Sequence, residues 1–413
     1  MHGAQSHAEE AFVKNSTYTA IAKIISSNLS ASILTFLSLL WLSRIYNAND
    51  YGLFTKYYYL LGIMYVVLDL GLPNALVISL SQQGKSFKII DIINKYKFYF
   101  LVVFFFVSVL GLYFFTPIIA LSFVICSVVG IILKFNSIKL QIVNDWGNSS
   151  KVVFYLPFLR SLGIFGVCFF ALGFHERYDS DFIYIVMICA SIIALFLSFN
   201  KTKGISYTEN GVSKNLAGMA WKLYAANIFA IVCMRADVIF ISHFFSDAAA
   251  GEYARVSMIF FAAPLLAGAI NTVFIRGLSA KDLDVNSVKN ITWKLFCIAG
   301  IGVVSLSIFG LIGKDIIIRY LSLKEIYIFI ILTLAYAGTL IFGVWEAFIN
   351  HRDQSFFLIL KICQLIGFVI TFLALYKYLG FIVGAVAFLM SRVGGWVLQW
   401  VYCHRRKNIF LNT

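Results

Sequence analysis

Nine ionisable side chains lie inside long apolar stretches of this sequence: the cations Lys56, Arg160, Arg235, Arg255, Lys361 and Arg392, and the acids Asp69, Asp237 and Glu346. A charge at the centre of a membrane helix costs about 2.5–3.5 kcal/mol on insertion scales, so a chain keeps it where it pairs, meets water or meets a ligand. Lys and Arg are the donors suited to phosphate oxygens. A carboxylate in a membrane cavity can take up and release a proton near neutral pH. Asp69, Asp237 and Glu346 are therefore candidates for ion coupling, the other reading being structural partners of the arginines. Lys361 lies two turns from the end of its stretch and is expected to snorkel to the interface. Nothing accompanies these charges that would do covalent chemistry. There is no phosphate-binding glycine loop, no Gly-x-Ser-x-Gly and no zinc-ligand spacing, so no catalytic residue, metal or cofactor is expected.

The elements that must position these residues are membrane helices. Hydrophobic residues make up 61% of the 413, charged residues 13%, and the mean hydropathy is +0.88. Soluble domains carry roughly 25% charged residues. Helical spans satisfy their own backbone hydrogen bonds in lipid. At roughly 20 apolar residues per span, twelve candidates emerge: 20–43, 52–81, 97–116, 117–135, 151–173, 181–200, 215–244, 250–278, 290–312, 325–350, 355–378 and 380–404. Pro117 separates the third from the fourth, and Gly71 with Pro73 predicts a kink in the second. The seven cysteines fall in or beside these runs and read as small buried apolar residues. The polar residues 1–18 do not read as a cleavable signal.

Lys and Arg set the orientation. With a cytoplasmic N-terminus, 21 of the 33 basic residues fall in inner loops and 6 in outer ones. Both termini are then inside. Basic loops facing an anionic leaflet also account for the net charge of +14 without nucleic acid.

An internal repeat organises the spans. An offset of 199 residues brings Lys23 onto Lys222, Asn28 onto Asn227, Gly52 onto Gly251, Phe54 onto Tyr253 and Lys56 onto Arg255. Six spans separate the copies, so both halves share one orientation. The expectation is an all-α polytopic membrane protein of about twelve transmembrane helices. Two six-helix lobes, residues 1–204 and 205–413, are related by a pseudo-two-fold axis along the membrane normal. Lys56 and Arg255 each follow the glycine of their repeat by four residues, about 6 Å along the helix. Facing each other across a cleft they would hold an anion between them; the alternative is snorkelling to the outer interface. Arg235 and Asp237, two residues apart, point to different helix faces and each needs another partner. Arg160 and Arg392 lie mid-span, where snorkelling is hard. Lys23 and Lys222, at the inner mouth, either steer an anionic head group or anchor their helices. Aromatic faces can stack on sugar rings, and Tyr57, Tyr58 and Tyr59 follow Lys56, but runs such as Phe104, Phe105 and Phe106 read as lipid contacts and the aromatics define no sugar site.

The segment from Arg44 to Ala75, RIYNANDYGLFTKYYYLLGIMYVVLDLGLPNA, resembles the first conserved block of the polysaccharide exporters. RADVIFISHFFSDAAAGEYARVSMIFF, from Arg235 to Phe261, resembles the second. These exporters belong to the multidrug/oligosaccharidyl-lipid/polysaccharide (MOP) superfamily, which includes the Wzx-type O-antigen flippases. The resemblance implies a secondary transporter of the bacterial inner membrane. It would flip undecaprenyl-pyrophosphate-linked repeat units to the periplasmic leaflet. Its partners would be the lipid-linked oligosaccharide, membrane lipids, and the polymerase and chain-length regulator of the same pathway. On that reading Lys56, Arg255, Arg160, Arg235, Arg392, Lys23 and Lys222 bind the pyrophosphate. Two alternatives stay open: a multidrug exporter of the same superfamily, which calls for a net acidic cavity, and a membrane-embedded O-antigen polymerase, which calls for a large outer loop.

Overall fold

The computed structural model describes residues 26–27, 30–72, 97–143, 145–174, 181–203, 216–261, 290, 292–293, 296–297 and 323–405. Among the described residues there is no strand. The helices are α1 (Ser30–Ile45), α2 (Ala48–Val67), α3 (Lys97–Phe114), α4 (Pro117–Ile142), α5 (Trp146–Phe174), α6 (Asp181–Thr202), α7 (Leu216–Phe244), α8 (Asp247–Ser257), α9 (Leu323–Arg352), α10 (Gln354–Leu379) and α11 (Val383–Arg405). A 3-10 turn at Met258–Phe261 continues α8, and another at Gly380–Ile382 joins α10 to α11.

Among the described residues, six helical stretches are long and apolar enough to cross a membrane, and α1 and α3 are shorter apolar helices. One of the six, Gln354–Arg405, runs for 52 residues. At 1.5 Å per residue that is about 78 Å, more than twice the hydrocarbon thickness. It therefore makes two spans, turned at Gly380, whose φ of 57° favours a residue without Cβ. The protein is an all-α, multi-pass membrane protein. The ninth expected span, 290–312, falls largely outside the described residues.

Packing divides the helices. α4, α5 and α6 pack on one another, as do α9, α10 and α11, with α7 against α10. α2 packs on α8, α7 and α4, joining the two groups. Its residue Tyr57 is fully buried against Phe115, Phe123 and Tyr184, with ring centroids 5.8, 6.0 and 4.8 Å away. The Tyr57 hydroxyl shares a 2.8 Å hydrogen bond with Ser122. This tyrosine is a core residue and presents no free face to a sugar. Phe104, Phe105 and Phe106 are exposed, as lipid contacts should be.

Several boundaries depart from the hydropathy reading, each for a local reason. α2 and α8 start a turn or so before their apolar runs, because Asn47 and Ser246 cap them. α2 ends at Val67, and Leu70 and Gly71 take left-handed conformations, φ 52° and 67°, so the helix is interrupted where Gly71 predicts a kink; residues 73–81 lie outside the described residues. α4 continues past residue 135, so Lys134 and Lys139 belong to its last turns and not to a loop. Cys189, Cys297 and Cys363 are exposed, unlike the buried Cys126, Cys168 and Cys233.

Candidate functional site

The repeat is written into the backbone. α1 ends at Ile45 and α7 at Phe244; α2 begins at Ala48 and α8 at Asp247, both pairs 199 apart. The caps repeat as well. The Asn47 side chain accepts from the Asp50 N–H at 2.8 Å, and Ser246 accepts from the Ala249 N–H at 3.1 Å.

These repeat-related starts cross each other. A methyl group at Gly52 would stand 1.7 Å from the Asp247 carbonyl oxygen, and one at Gly251 would stand 2.2 Å from that of Ala48. Ala48 and Asp247 are themselves repeat mates, so each glycine contacts the partner of the residue that the other contacts. That reciprocity is the mark of a two-fold relation. Only glycine permits so close an approach of two helix backbones.

Lys56 and Arg255 flank the crossing. With helix starts at Ala48 and Asp247, each lies eight residues in, about 12 Å along its helix, twice the depth expected from hydropathy. Lys56 reaches the first turn of α8, where its Nζ is 3.6 Å from Asp247 Oδ1. At the equivalent place in α2 stands Ala48, so the repeat supplies no matching carboxylate for Arg255. The Arg255 Nε is buried with no hydrogen-bond partner among the described residues. Arg235, on α7, also spans the divide: its guanidinium lies 4.6 Å from the ring centroid of Tyr59 on α2. Tyr59 in turn meets Ser257 of α8 at 3.3 Å, and the Tyr224 hydroxyl of α7 donates to the Val67 carbonyl at 3.1 Å. Three cations thus sit where α2 meets α7 and α8, with two carboxylates, Asp247 paired with Lys56 and Asp237 held by Tyr253.

Comparison with known proteins bears on the fold alone. No family model matches the chain, and no curated protein sequence matches it. Solved structures do. An outward-facing multidrug resistance MATE family transporter of the MOP superfamily superposes with a TM-score of 0.65 over 95% of this chain and 96% of its own, at 12% identity. The lipid II flippase MurJ, in an inward closed conformation, gives 0.68 over 92% and 87%, at 13% identity. A MOP superfamily transporter from Pyrococcus furiosus, described as having a binding pocket of reverse polarity, gives 0.60 over 96% and 97%, at 11% identity. The fold is that of the MOP transporters.

Within this MOP fold the remaining charges of the helix interiors are enclosed by side chains of their own half. Asp237 accepts from the Tyr253 hydroxyl of α8 at 2.8 Å and from the Val238 N–H at 2.9 Å. Asp69 is ion-paired with Lys134 of α4, and its other oxygen accepts from the Gly71 N–H at 2.7 Å. Glu346 takes the Lys361 ammonium at 2.6 Å and the Gln399 amide at 3.2 Å. Lys361 is 2% exposed and does not snorkel. Its carboxylate partner holds it inside, which hydropathy cannot register. Arg160 donates to the Ser191 hydroxyl at 3.0 Å and lies over Tyr65 at 5.7 Å. Arg392 is 1% exposed and lies over Phe388 at 4.9 Å. Lys222 is exposed and donates to Ser355 at 3.2 Å, while Lys23 lies outside the described residues.

The partners Asp247, Lys134, Tyr253, Gln364 and Gln399 are absent from the candidates the sequence suggests. Asp247 carried a signal, as an acid at the head of a repeat-related helix. Gln364 and Gln399 carried none, since neutral amides in apolar runs are unremarkable until packing brings them together. Among the described residues no group of three or more metal-ligating side chains comes together.

Proposed function

We propose that this protein is a secondary transporter that moves a polyprenyl-pyrophosphate-linked oligosaccharide from the cytoplasmic to the periplasmic leaflet of a bacterial inner membrane. The observation that carries this reading is the charge balance where α2 meets α7 and α8. Lys56, Arg235 and Arg255 stand there with two carboxylates among the described residues, Asp247 paired with Lys56 and Asp237 held by Tyr253 beside Arg235, three cations against two acids. Enclosed cations in excess favour an anionic cargo, and a pyrophosphate matches two cations on opposing helices. The pyrophosphate would lie between Lys56 and Arg255, displacing Asp247 from Lys56. The glycan would occupy a water-filled cleft opened between the lobes, and the polyprenyl chain the bilayer.

With cytoplasmic termini, the Gly52–Gly251 crossing lies toward the periplasmic ends of α2 and α8. Contact there closes the outer side, and rocking of the lobes about it gives alternating access. One solved counterpart of this fold is named a lipid II flippase and another a multidrug transporter. A cation exporter needs an acidic cleft, and the excess of cations at this junction weighs against that reading.

Deleting the gene tests the reading. Lipid-linked repeat units should accumulate on the cytoplasmic leaflet, and surface polysaccharide should be lost until the intact gene is restored. Unchanged surface polysaccharide in the deletion strain would rule the reading out.

A further inference from the structure

The interior of the second half, where α9, α10 and α11 pack together, holds a polar cluster that the transport reading does not use. Glu346 accepts from Lys361 and from Gln399, and Lys361 also donates to Gln364 Oε1 at 3.3 Å. Gln364 is tied to α11: Ser391 donates to its carbonyl at 2.7 Å. Its side-chain amide fills the notch at Gly395, where a methyl would stand 2.1 Å from Nε2. Arg392 follows Ser391 and stands three residues before Gly395, one turn along the same face.

The charges of this cluster do not cancel. Lys361 and Glu346 neutralise each other. Arg392 is left over, and among the described residues no carboxylate lies within ion-pair distance of it. On the neighbouring α7, Asp237 is hydrogen-bonded to Tyr253, and Arg235 on the same helix balances its charge. A net positive charge is therefore sealed inside the half, which is unfavourable when nothing compensates it.

The hydrogen bonds do not close either. Arg392 Nε and Nη2 are buried with no partner among the protein's described atoms, and so is one acceptor, Gln399 Oε1; Gln364 Nε2 makes no hydrogen bond of good geometry, though the Glu346 carboxylate lies beside its side chain. Buried polar groups are nearly always satisfied. Two orphaned donors of an uncompensated guanidinium, with the Gln364 amide nearby on the next helix, call for an acceptor that carries negative charge.

We infer that Arg392 and Gln364 form a binding site for a small inorganic monovalent anion of the chloride class, enclosed between α9, α10 and α11. The anion neutralises the half and takes the orphaned donors, and Phe388 covers one face of the guanidinium. The site is separate from the crossing of α2 and α8 and does not depend on the transport reading.

The test uses the purified full-length protein. Its Tm is compared in sodium chloride and sodium gluconate at matched ionic strength, and crystals are soaked in bromide. The expected result is a Tm several degrees higher in chloride, because a ligand that binds only the folded state stabilises it. That difference should vanish in Arg392→Met and shrink in Gln364→Leu. A bromide anomalous peak should lie beside Arg392 in the unaltered protein, a readout that needs no variant to fold. Equal Tm in the two salts with no peak there would overturn the site and leave water as its occupant. A chloride effect that survives Arg392→Met, or a bromide peak confined to Lys56 and Arg255, would overturn it equally.

Discussion

Gly52 and Gly251 sit against each other across the two halves of the chain: a methyl on Gly52 would stand 3.0 Å from the Gly251 backbone nitrogen, and one on Gly251 would stand 3.1 Å from that of Gly52. They are repeat mates, and each sits against the residue four before the other. A side chain on either forces the helices apart. Gly52→Ala places its methyl against a backbone carbonyl, which cannot rotate away. Overpacking of this kind costs on the order of 1–3 kcal/mol. The variant is expected to lower the Tm of the purified protein by several degrees and to weaken closure of the crossing. A cysteine pair placed across the crossing should then form its disulfide more slowly than in the unaltered background. An unchanged Tm and crosslinking rate would show that the crossing has slack.

Lys361 and Glu346 form a buried pair, and breaking one side strands a charge. Lys361→Met should cost about 3–5 kcal/mol, whereas Lys361→Met with Glu346→Leu should cost much less. Chemical denaturation or Tm across the double-mutant cycle reads this directly. Additive losses would mean that the two residues are held independently.

Asp69 and Lys134 give an asymmetric prediction. Asp69 is 1% exposed, while the Lys134 side chain is 36% exposed. Removing the lysine leaves a buried carboxylate unpaired; removing the acid leaves a lysine that can reach water. Lys134→Met should therefore lower the Tm more than Asp69→Asn. Asp69→Asn is expected to retain transport, because its carboxylate ties the end of α2 to α4. Lost transport at normal expression and Tm would instead assign Asp69 to ion coupling.

The sequence announces the charges and the symmetry and hides the partners. Lys56, Arg255, Arg160, Arg235 and Arg392 stand out because a charge in an apolar run is costly wherever it goes. The 199-residue offset is visible because Gly52 and Gly251 are each needed at a contact no other residue permits. Hydropathy places the starts of α2 and α8 too late, since Asn47 and Ser246 open those helices in polar sequence. Polar starts halve the apparent depth of Lys56 and Arg255. The partners of Lys361 and Asp69 come from other helices, 15 and 65 residues away, and no local pattern encodes such a pairing.

The most direct measurement is the affinity of the purified protein for a polyprenyl pyrophosphate against the corresponding polyprenol, in the unaltered chain and in Lys56→Gln/Arg255→Gln. Hydrogen bonds to charged groups contribute about 1.5–3 kcal/mol each. The pyrophosphate should therefore bind the unaltered protein about 100-fold or more tighter than the double variant, with the polyprenol indifferent to both substitutions. Equal affinity of the two proteins for the pyrophosphate would contradict a substrate site at the crossing of α2 and α8.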